Sequence, residues 1–467
     1  MIGDIIKKEI LDNLLSHKFL FIFILCSVLI LFSVYIGALD YVQSKKEYDS
    51  NVASLNERMQ TTVSVFGERF GYRIYRPPQV LRAAVVGVED AAGRATYPNN
   101  IYENNLAESR QESNTIFTLF GSLDLMFAVK FILSLCALFL TYDAVSGEKE
   151  KGTLKLTLSN NVSRARLISG KIIGNYVSLL LLFLAPLLMG LILLSVFPGI
   201  SLTGGDWLRL LFIIIMFLLY ISVFFALGIF ISAVTTRSSI SFLILLFIWV
   251  ALVIVIPGAA VVAAEKIRPI PSSSMLVNQK GLFVVQTQQE VIQDMLSGKL
   301  SREPGFSLQQ EMDDRIEANN VKENRDYQLK RDAQQNLSKN LSRISPAAAL
   351  TFGSMTLART GAGEYDRFLA AARAYRPIYK KWNNDRSAAQ QQSGGTGSVT
   401  INFTSLMQTT TPKPDENIIA TIPQLPYAPE SLSESLARTL PDFALMAAMT
   451  IIFLTGAYFA FLRYDVR

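Results

Sequence analysis

The side chains that could perform chemistry in this sequence are few, and their spacing fits no common catalytic or metal-binding pattern. His17 is the only histidine in 467 residues, which excludes histidine-based triads and multi-histidine metal sites. Gly170-Lys171 lacks the earlier glycine of a phosphate-binding loop. Paired carboxylates such as Asp313-Asp314 are typical of solvated faces. We therefore predict no catalytic residue, no metal site and no directly bound cofactor, and an intramembrane enzyme is the least favoured class.

One short stretch concentrates charge between two long apolar runs. Residues 143–171 carry six basic and three acidic side chains, whereas the two longest loops are nearly neutral. Residues 142–159, YDAVSGEKEKGTLKLTLS, place a charged turn before an amphipathic LKLTL piece. The residues alone leave two interpretations open: a solvated basic loop, and a short helix that presents a charged surface to a soluble partner. We call residues 143–166 the interspan segment.

Composition and hydropathy place this segment in a membrane protein. Half of the residues are apolar, 18% are charged, and the mean hydropathy is +0.31. Apolar runs are long enough to cross the ~30 Å hydrocarbon core as helices of ~20 residues. Spans are expected at residues 19–40, 115–142, 167–197, 207–236, 238–264 and 442–463, with Lys130 of the second span expected to snorkel to the interface. The predicted fold class is an all-α polytopic membrane protein with six transmembrane helices.

The distribution of charge predicts the orientation of the spans. Short basic segments face the cytoplasm under the positive-inside rule, so the interspan segment and both termini are expected inside. Residues 1–18 are then an interfacial helix and residues 464–467 a cytoplasmic tail. Residues 41–114 form a first extracytoplasmic segment, in which residues 83–93 fit strand or helix equally. Residues 265–441 form a large, mainly helical extracytoplasmic domain, with a flexible or strand-containing excursion at residues 390–411.

The interspan segment resembles the signature of type-2 ABC exporter permeases, D-x-x-x-x-E-[RK]-E-x-G-T-L followed by L-S, V-S-R and G-K. It lies after the second span, where that family carries the motif. The resemblance implies a coupling region that docks into a groove on a separate ATP-binding cassette ATPase subunit, which binds the ATP and Mg²⁺. The coupling positions that it implies are Asp143, Glu148, Lys149, Glu150, Gly152, Thr153 and Arg164.

The resemblance also implies a bacterial inner (plasma) membrane location and a second permease copy or paralogue, and nothing indicates nucleic acid. Gly170 and Gly174 have the spacing that lets two helices approach closely, either within the subunit or at the seam of a permease dimer. The loops after the first and fifth spans are enlarged, as in a bacterial subgroup of the family. A periplasmic partner for these loops is therefore a further option.

Three functions stay open at this point. The first is ATP-driven export across the membrane, or extraction from it, and the second is mechanical signalling to a periplasmic or surface partner without transport. The third is a passive membrane-anchored scaffold or sensor. The sequence does not identify the transported substrate.

Overall fold

The structure is a computed structural model that describes residues 2–61, 73–89, 93, 95–96, 124–159, 163–298, 308–392 and 421–464. Most of these residues are helical. The beginning of the second expected span, residues 115–123, and most of the expected excursion, residues 393–411, lie outside the described residues.

The helices run in the following order along the chain. They are α1 (Ile2–Leu14), α2 (His17–Thr61), α3 (Leu125–Phe127, the π-helical segment Ala128–Leu133 and Ser134–Thr141), α4 (Ser146–Glu150), α5 (Thr153–Ser159), α6 (Arg164–Val196), α7 (Gly204–Val234), α8 (Ser238–Val250, the π-helical segment Ala251–Val255 and Ile256–Ile267), α9 (Ser273–Leu296), α10 (Leu308–Ser342), α11 (Pro346–Leu357), α12 (Ala362–Gln392) and α13 (Leu432–Leu462). Two short strands, β1 (Ile74–Tyr75) and β2 (Ala95–Thr96), pair antiparallel.

Six helices in the described part of the chain are long and apolar enough to span a membrane: α2, α3, α6, α7, α8 and α13. This confirms the predicted six-helix class. A lipid core offers no hydrogen bonds to the backbone, so an apolar run of this length pairs its amides internally as a helix. The most apolar window is 67% buried in α7 but only 17% buried in α8 and in α13. Helix α7 is therefore central, while α8 and α13 present apolar faces outward.

Contacts between helix termini distinguish two ends of the bundle. At one end, Lys18 of α2, Ser238 of α8 and Leu462 of α13 all bond to the interspan segment. We call this the interspan end. The opposite end, which we call the loop end, carries the paired strands β1 and β2 and helices α9 to α12.

Both π-helical segments release carbonyl groups that neighbouring elements bind. The Tyr220 hydroxyl on α7 donates to the Lys130 carbonyl at 2.7 Å, and the Ser345 hydroxyl donates to the Leu252 carbonyl. Such segments interrupt the regular i to i−4 ladder, so these side chains satisfy groups that lipid could not. The Lys130 ammonium lies 5.0 Å from the centre of the Phe131 ring.

Buried charges connect the loop end to the membrane helices. Arg82, fully buried, bonds to Asp40 of α2 at 2.7 Å and to Glu89 at 3.0 Å. Arg209 of α7 donates to the Leu357 carbonyl at 2.9 Å and to the Ser435 hydroxyl at 3.0 Å. The helices at the loop end are therefore bonded to the bundle at several points.

Candidate functional site

The interspan segment folds into two short helices connected by a tight turn. After α3 ends at Thr141, the Ser232 hydroxyl of α7 accepts the backbone N–H groups of Val145 and Ser146, each at 3.0 Å. Gly152 then adopts a φ of +74° between α4 and α5, a conformation that side chains disfavour. A Cβ there would meet nothing within 4 Å, so its backbone angle, and not crowding, explains the glycine.

The two short helices rest on an apolar cluster shared with α6, α7 and α13. Its buried members are Val145, Leu154, Leu167, Ile168, Ala233 and Phe461. Leu154 is 1% exposed, whereas Leu156 on the same helix is 69% exposed, because two residues in a helix differ by about 200° in direction. Helix α5 thus buries Leu154 and presents Leu156 outward.

Two basic side chains of the segment cap the C-termini of membrane helices. Lys149 Nζ donates to the carbonyls of Ala233 and Thr235, the latter at 3.1 Å, at the end of α7. Arg164 Nη1 donates to the carbonyls of Leu462 and Tyr464, both at 3.1 Å, at the end of α13. Cations stabilise helix C-termini because the last carbonyls lack helical partners and carry partial negative charge.

Glu150 makes the complementary contact at a helix N-terminus. Its Oε2 atom accepts the backbone N–H of Ser238 at 3.0 Å and the Ser238 hydroxyl at 2.8 Å, at the first residue of α8. A carboxylate is favourable there because the first N–H groups of a helix carry partial positive charge. Glu150 thus connects α4 to α8.

Glu148 belongs to a charge triad centred on the buried Lys171 of α6, with Glu9 of α1 as its third member. Lys171 Nζ of α6 lies 2.7 Å from Glu148 Oε1 and 2.8 Å from Glu9 Oε1, and the Lys171 side chain is only 3% exposed. Within the described part of the chain, the buried Glu148 Oε2 has no hydrogen-bond partner. Two carboxylates and one ammonium leave the triad with a net negative charge.

The remaining acidic position connects the segment to α2. Asp143 Oδ2 lies 2.5 Å from Lys18 Nζ, which also donates to the Tyr142 hydroxyl at 3.1 Å. Both side chains are partly exposed, so this pair contributes less than a buried pair would.

Gly170 and Gly174 lie where α1 crosses α6. A Cβ at Gly170 would be 2.6 Å from Ile5 Cγ2, and a Cβ at Gly174 would be 2.7 Å from Glu9 Cβ. The two glycines therefore pack inside the subunit, against the N-terminal helix. Farther along the same contact, Asn13 Nδ2 donates to Asn175 Oδ1 at 2.9 Å.

Of the seven coupling positions expected from the sequence, Glu150, Thr153 and Arg164 are exposed and the other four are partly buried. Thr153 is exposed, and its hydroxyl donates to the Glu148 carbonyl at 3.4 Å. Lys151, Lys155 and Leu156 are exposed beside it. Sequence reasoning missed Ser232 and Glu9, since nothing in their local sequence indicates that they contact the segment. Lys171 is the lysine of the G-K pair in the signature, but it was not among the expected coupling positions.

Among the described residues, no group of three or more His, Cys, Asp and Glu side chains is placed to hold a metal ion. A family model described as ABC-2 family transporter protein matches residues 4–466. No curated protein matches the chain significantly.

Proposed function

Because the chain belongs to the ABC-2 family of transporter proteins, we propose that it couples ATP hydrolysis on a separate subunit to movement of its own membrane helices. The family makes the chain a membrane permease subunit of an ABC transporter, and it implies a partner ATP-binding cassette ATPase. In the proposal the ATPase binds ATP and Mg²⁺, while this chain performs no chemistry. The transported substrate crosses, or leaves, the bilayer through the permease.

One observation carries the coupling role: the charged side chains of the interspan segment bond to the ends of five membrane helices. Asp143 contacts α2 and Glu148 contacts α6. Lys149, Glu150 and Arg164 bond to α7, α8 and α13, respectively. A push on α4 and α5 would therefore reach most of the bundle at once. Such a push acts as a switch if each nucleotide state of the ATPase favours one helix arrangement.

The outward face of the segment suggests what it docks against. Lys151 and Lys155 are positively charged and exposed, and Leu156 is exposed next to Lys155. A groove with acidic side chains and an apolar floor would complement this face. We propose that the ATPase supplies such a groove.

Charge bias supports the proposed orientation. The interspan end carries the basic surplus of residues 143–171, which favours the cytoplasmic side of a bacterial inner membrane. Both termini are then cytoplasmic and the loop end is periplasmic. The outward apolar faces of α8 and α13 offer surfaces for a second permease copy or paralogue.

A second candidate, mechanical signalling to a periplasmic or surface partner, is favoured by the bonds between the bundle and the loop end. Arg343 binds Asp442 of α13 through two contacts of 2.7 and 3.2 Å, and Arg209 bonds α7 to the residues around α11 and α13. Helix movement would reach the loop end through these bonds. Deleting residues 280–424 should leave export of a small hydrophobic substrate partly active, but should abolish a signalling function. If the chain were a passive scaffold, the third function, no ATPase subunit would copurify with it.

The docking surface gives the direct test. In proteoliposomes containing the permease and its ATPase, Lys155→Glu together with Leu156→Asp should abolish permease-dependent stimulation of ATP hydrolysis. The matched control is Lys322→Glu with Leu329→Asp, since both residues are exposed on α10. Normal stimulation by the interspan variant would contradict the proposal.

A further inference from the structure

A cavity of about 840 Å³ lies at the loop end, away from the interspan segment. Its walls come from the end of α8, residues 269–272, α10, α11, the start of α12, and α13. The cavity has no role in the coupling function proposed above. Its size is in the range of small-molecule sites.

One wall of the cavity is apolar and continues onto the surface of a membrane helix. It contains Val261, Ala264, Ile270, Phe352 and Met355. Val261 of α8 is itself 55% exposed, and it lies on a helix that is long and apolar enough to span the bilayer. An alkyl chain could therefore pass from the lipid into the cavity without crossing a polar surface.

The lining of the cavity also carries two cations. Lys339 of α10 lies with its Nζ atom 5.6 Å from the centre of the Phe352 ring, and no carboxylate in the described part of the chain forms an ion pair with it. Burial, assisted by the nearby Arg343, lowers the pKa of Lys339. Arg438 of α13 bonds to Glu430 at 3.2 Å, and its side chain is 53% exposed.

The start of α12 also lines the cavity, and its first turn contains one acidic residue, Glu364. Gly361, Ala362 and Gly363 line the cavity, and a Cβ on Gly363 would lie 3.1 Å from Arg438 Nη1. The guanidinium therefore lies beside the first turn of a 31-residue helix, whose N–H groups attract anions.

Two acidic side chains line the cavity, and neither forms an ion pair with Lys339. Asp366 is bound by Arg331 at 2.8 Å. Glu265 lies on the exposed end of α8. Asp442 and Glu430 favour the charged form of Lys339 from a distance, but in the described part of the chain neither forms an ion pair with it. An anionic ligand would supply a direct partner for this half-buried ammonium.

We propose that this cavity binds an anionic amphiphile. Its phosphate ester or carboxylate head lies against Lys339, Arg438 and the start of α12, and its alkyl chain lies along the α8 and Phe352 wall. Binding needs no ATP and does not rest on the coupling proposal. The proposed orientation adds that the ligand enters from the periplasmic leaflet.

The test uses the full-length chain in phosphatidylcholine nanodiscs with a dodecyl phosphate that carries a photoreactive diazirine in its chain. Crosslinks should map to residues around Val261, Ile270 and Phe352. Lys339→Gln should weaken binding by about tenfold or more, the value of one charged hydrogen bond. Lys339→Arg should retain binding. Lys322→Gln is the matched control, an exposed lysine on the same helix, and should bind as the unmodified chain does.

Several outcomes would overturn the proposal. One is that Lys339→Gln binds the probe as tightly as the unmodified chain does, and another is that crosslinks map outside the cavity walls. A third is that a neutral dodecyl analogue binds as well as the dodecyl phosphate. Competition by inorganic phosphate at the same concentration as dodecyl phosphate would show a simple anion site and reject the amphiphile. The Lys155→Glu, Leu156→Asp variant should bind the probe normally, so a failure of coupling and a failure of ligand binding are separate results.

Discussion

Lys171 Nζ lies 2.7 Å from Glu148 Oε1, and this contact connects the third membrane helix to the first short helix of the interspan segment. The same ammonium lies 2.8 Å from Glu9 Oε1 on α1. One buried lysine therefore holds together α4, α6 and the N-terminal helix α1, whose Glu9 is 162 residues from Lys171 in the sequence.

The first prediction concerns removal of that lysine. Lys171→Met should destabilise the protein by roughly 3 kcal/mol, because two carboxylates would remain close together without their counter-ion. Thermal unfolding of the purified chain measures the effect. Lys155→Met, which removes an exposed lysine of the interspan segment, should change the unfolding temperature little. If the triad is the cause, adding Glu9→Gln and Glu148→Gln to Lys171→Met should recover part of the loss.

A second prediction concerns transmission through the segment. Glu148→Lys with Glu150→Lys should abolish stimulation of ATP hydrolysis while leaving membrane insertion intact. One substitution places a cation beside Lys171, and the other places a cation at the N-terminus of α8, where a positive charge is unfavourable. The control is Asp314→Lys with Asp326→Lys, the same change of charge at exposed positions of α10. Unchanged stimulation by the first variant would count against coupling through the segment.

The third prediction tests the docking of α1. Gly170→Leu with Gly174→Leu should displace α1, since even a Cβ at these positions would lie within 2.7 Å of α1 atoms. In a background without native cysteines, a disulfide between Asn13→Cys and Ser178→Cys reports the contact, because these side chains lie 3.3 Å apart. Its yield should fall in the double leucine variant. Gly258→Leu, at a position in α8 with open space around it, should leave the yield unchanged.

A fourth prediction concerns the bonds between α7 and the loop end. Arg209→Met should destabilise the protein by about 3 kcal/mol, because a buried guanidinium that makes three hydrogen bonds is lost. Arg209→Lys should recover only part of the lost stability, since an ammonium lacks the planar arrangement of donors of a guanidinium. Arg237→Met, at an exposed position, serves as the control. Equal unfolding temperatures for the two methionine variants would contradict the structural role of Arg209.

The fifth prediction is a pH dependence at the loop end. Burial raises the pKa of Glu430 above its ordinary value of 4.5, even though Arg438 acts in the opposite direction. A raised pKa in the folded state means that the contribution of Glu430 to stability is complete below pH 4.5 and is lost as the pH rises through the folded-state pKa. The unfolding temperature of Glu430→Gln, relative to that of the unmodified chain, should therefore increase as the pH rises above 4.5. Glu290→Gln, at an exposed position, should show no such trend.

Much of the architecture could be predicted from local sequence. The six membrane helices follow from runs of apolar residues, because a chain in lipid must pair its own backbone groups. The family follows from the motif between Asp143 and Lys171. The helical character of the large loop follows from apolar residues at helical spacing.

Contacts between distant residues could not be predicted in this way. Nothing near Glu9 indicates that it shares a lysine with Glu148, and nothing near Ser232 indicates that it binds the start of α4. Leu154 and Leu156 stand two residues apart in one amphipathic piece, yet only packing against α6, α7 and α13 determines which of them is buried.

The sequence by itself determined which segments are apolar enough to span a membrane and which segment resembles the family signature, because hydrophobicity and a local motif are properties of neighbouring residues. The tertiary structure alone decided that Gly170 and Gly174 receive α1, that Lys149 and Arg164 cap helices that end far along the chain, and that Lys339 lines a cavity. The physical reason is that burial and charge pairing depend on which helices meet, and helices of similar hydrophobicity carry no local signal of their neighbours.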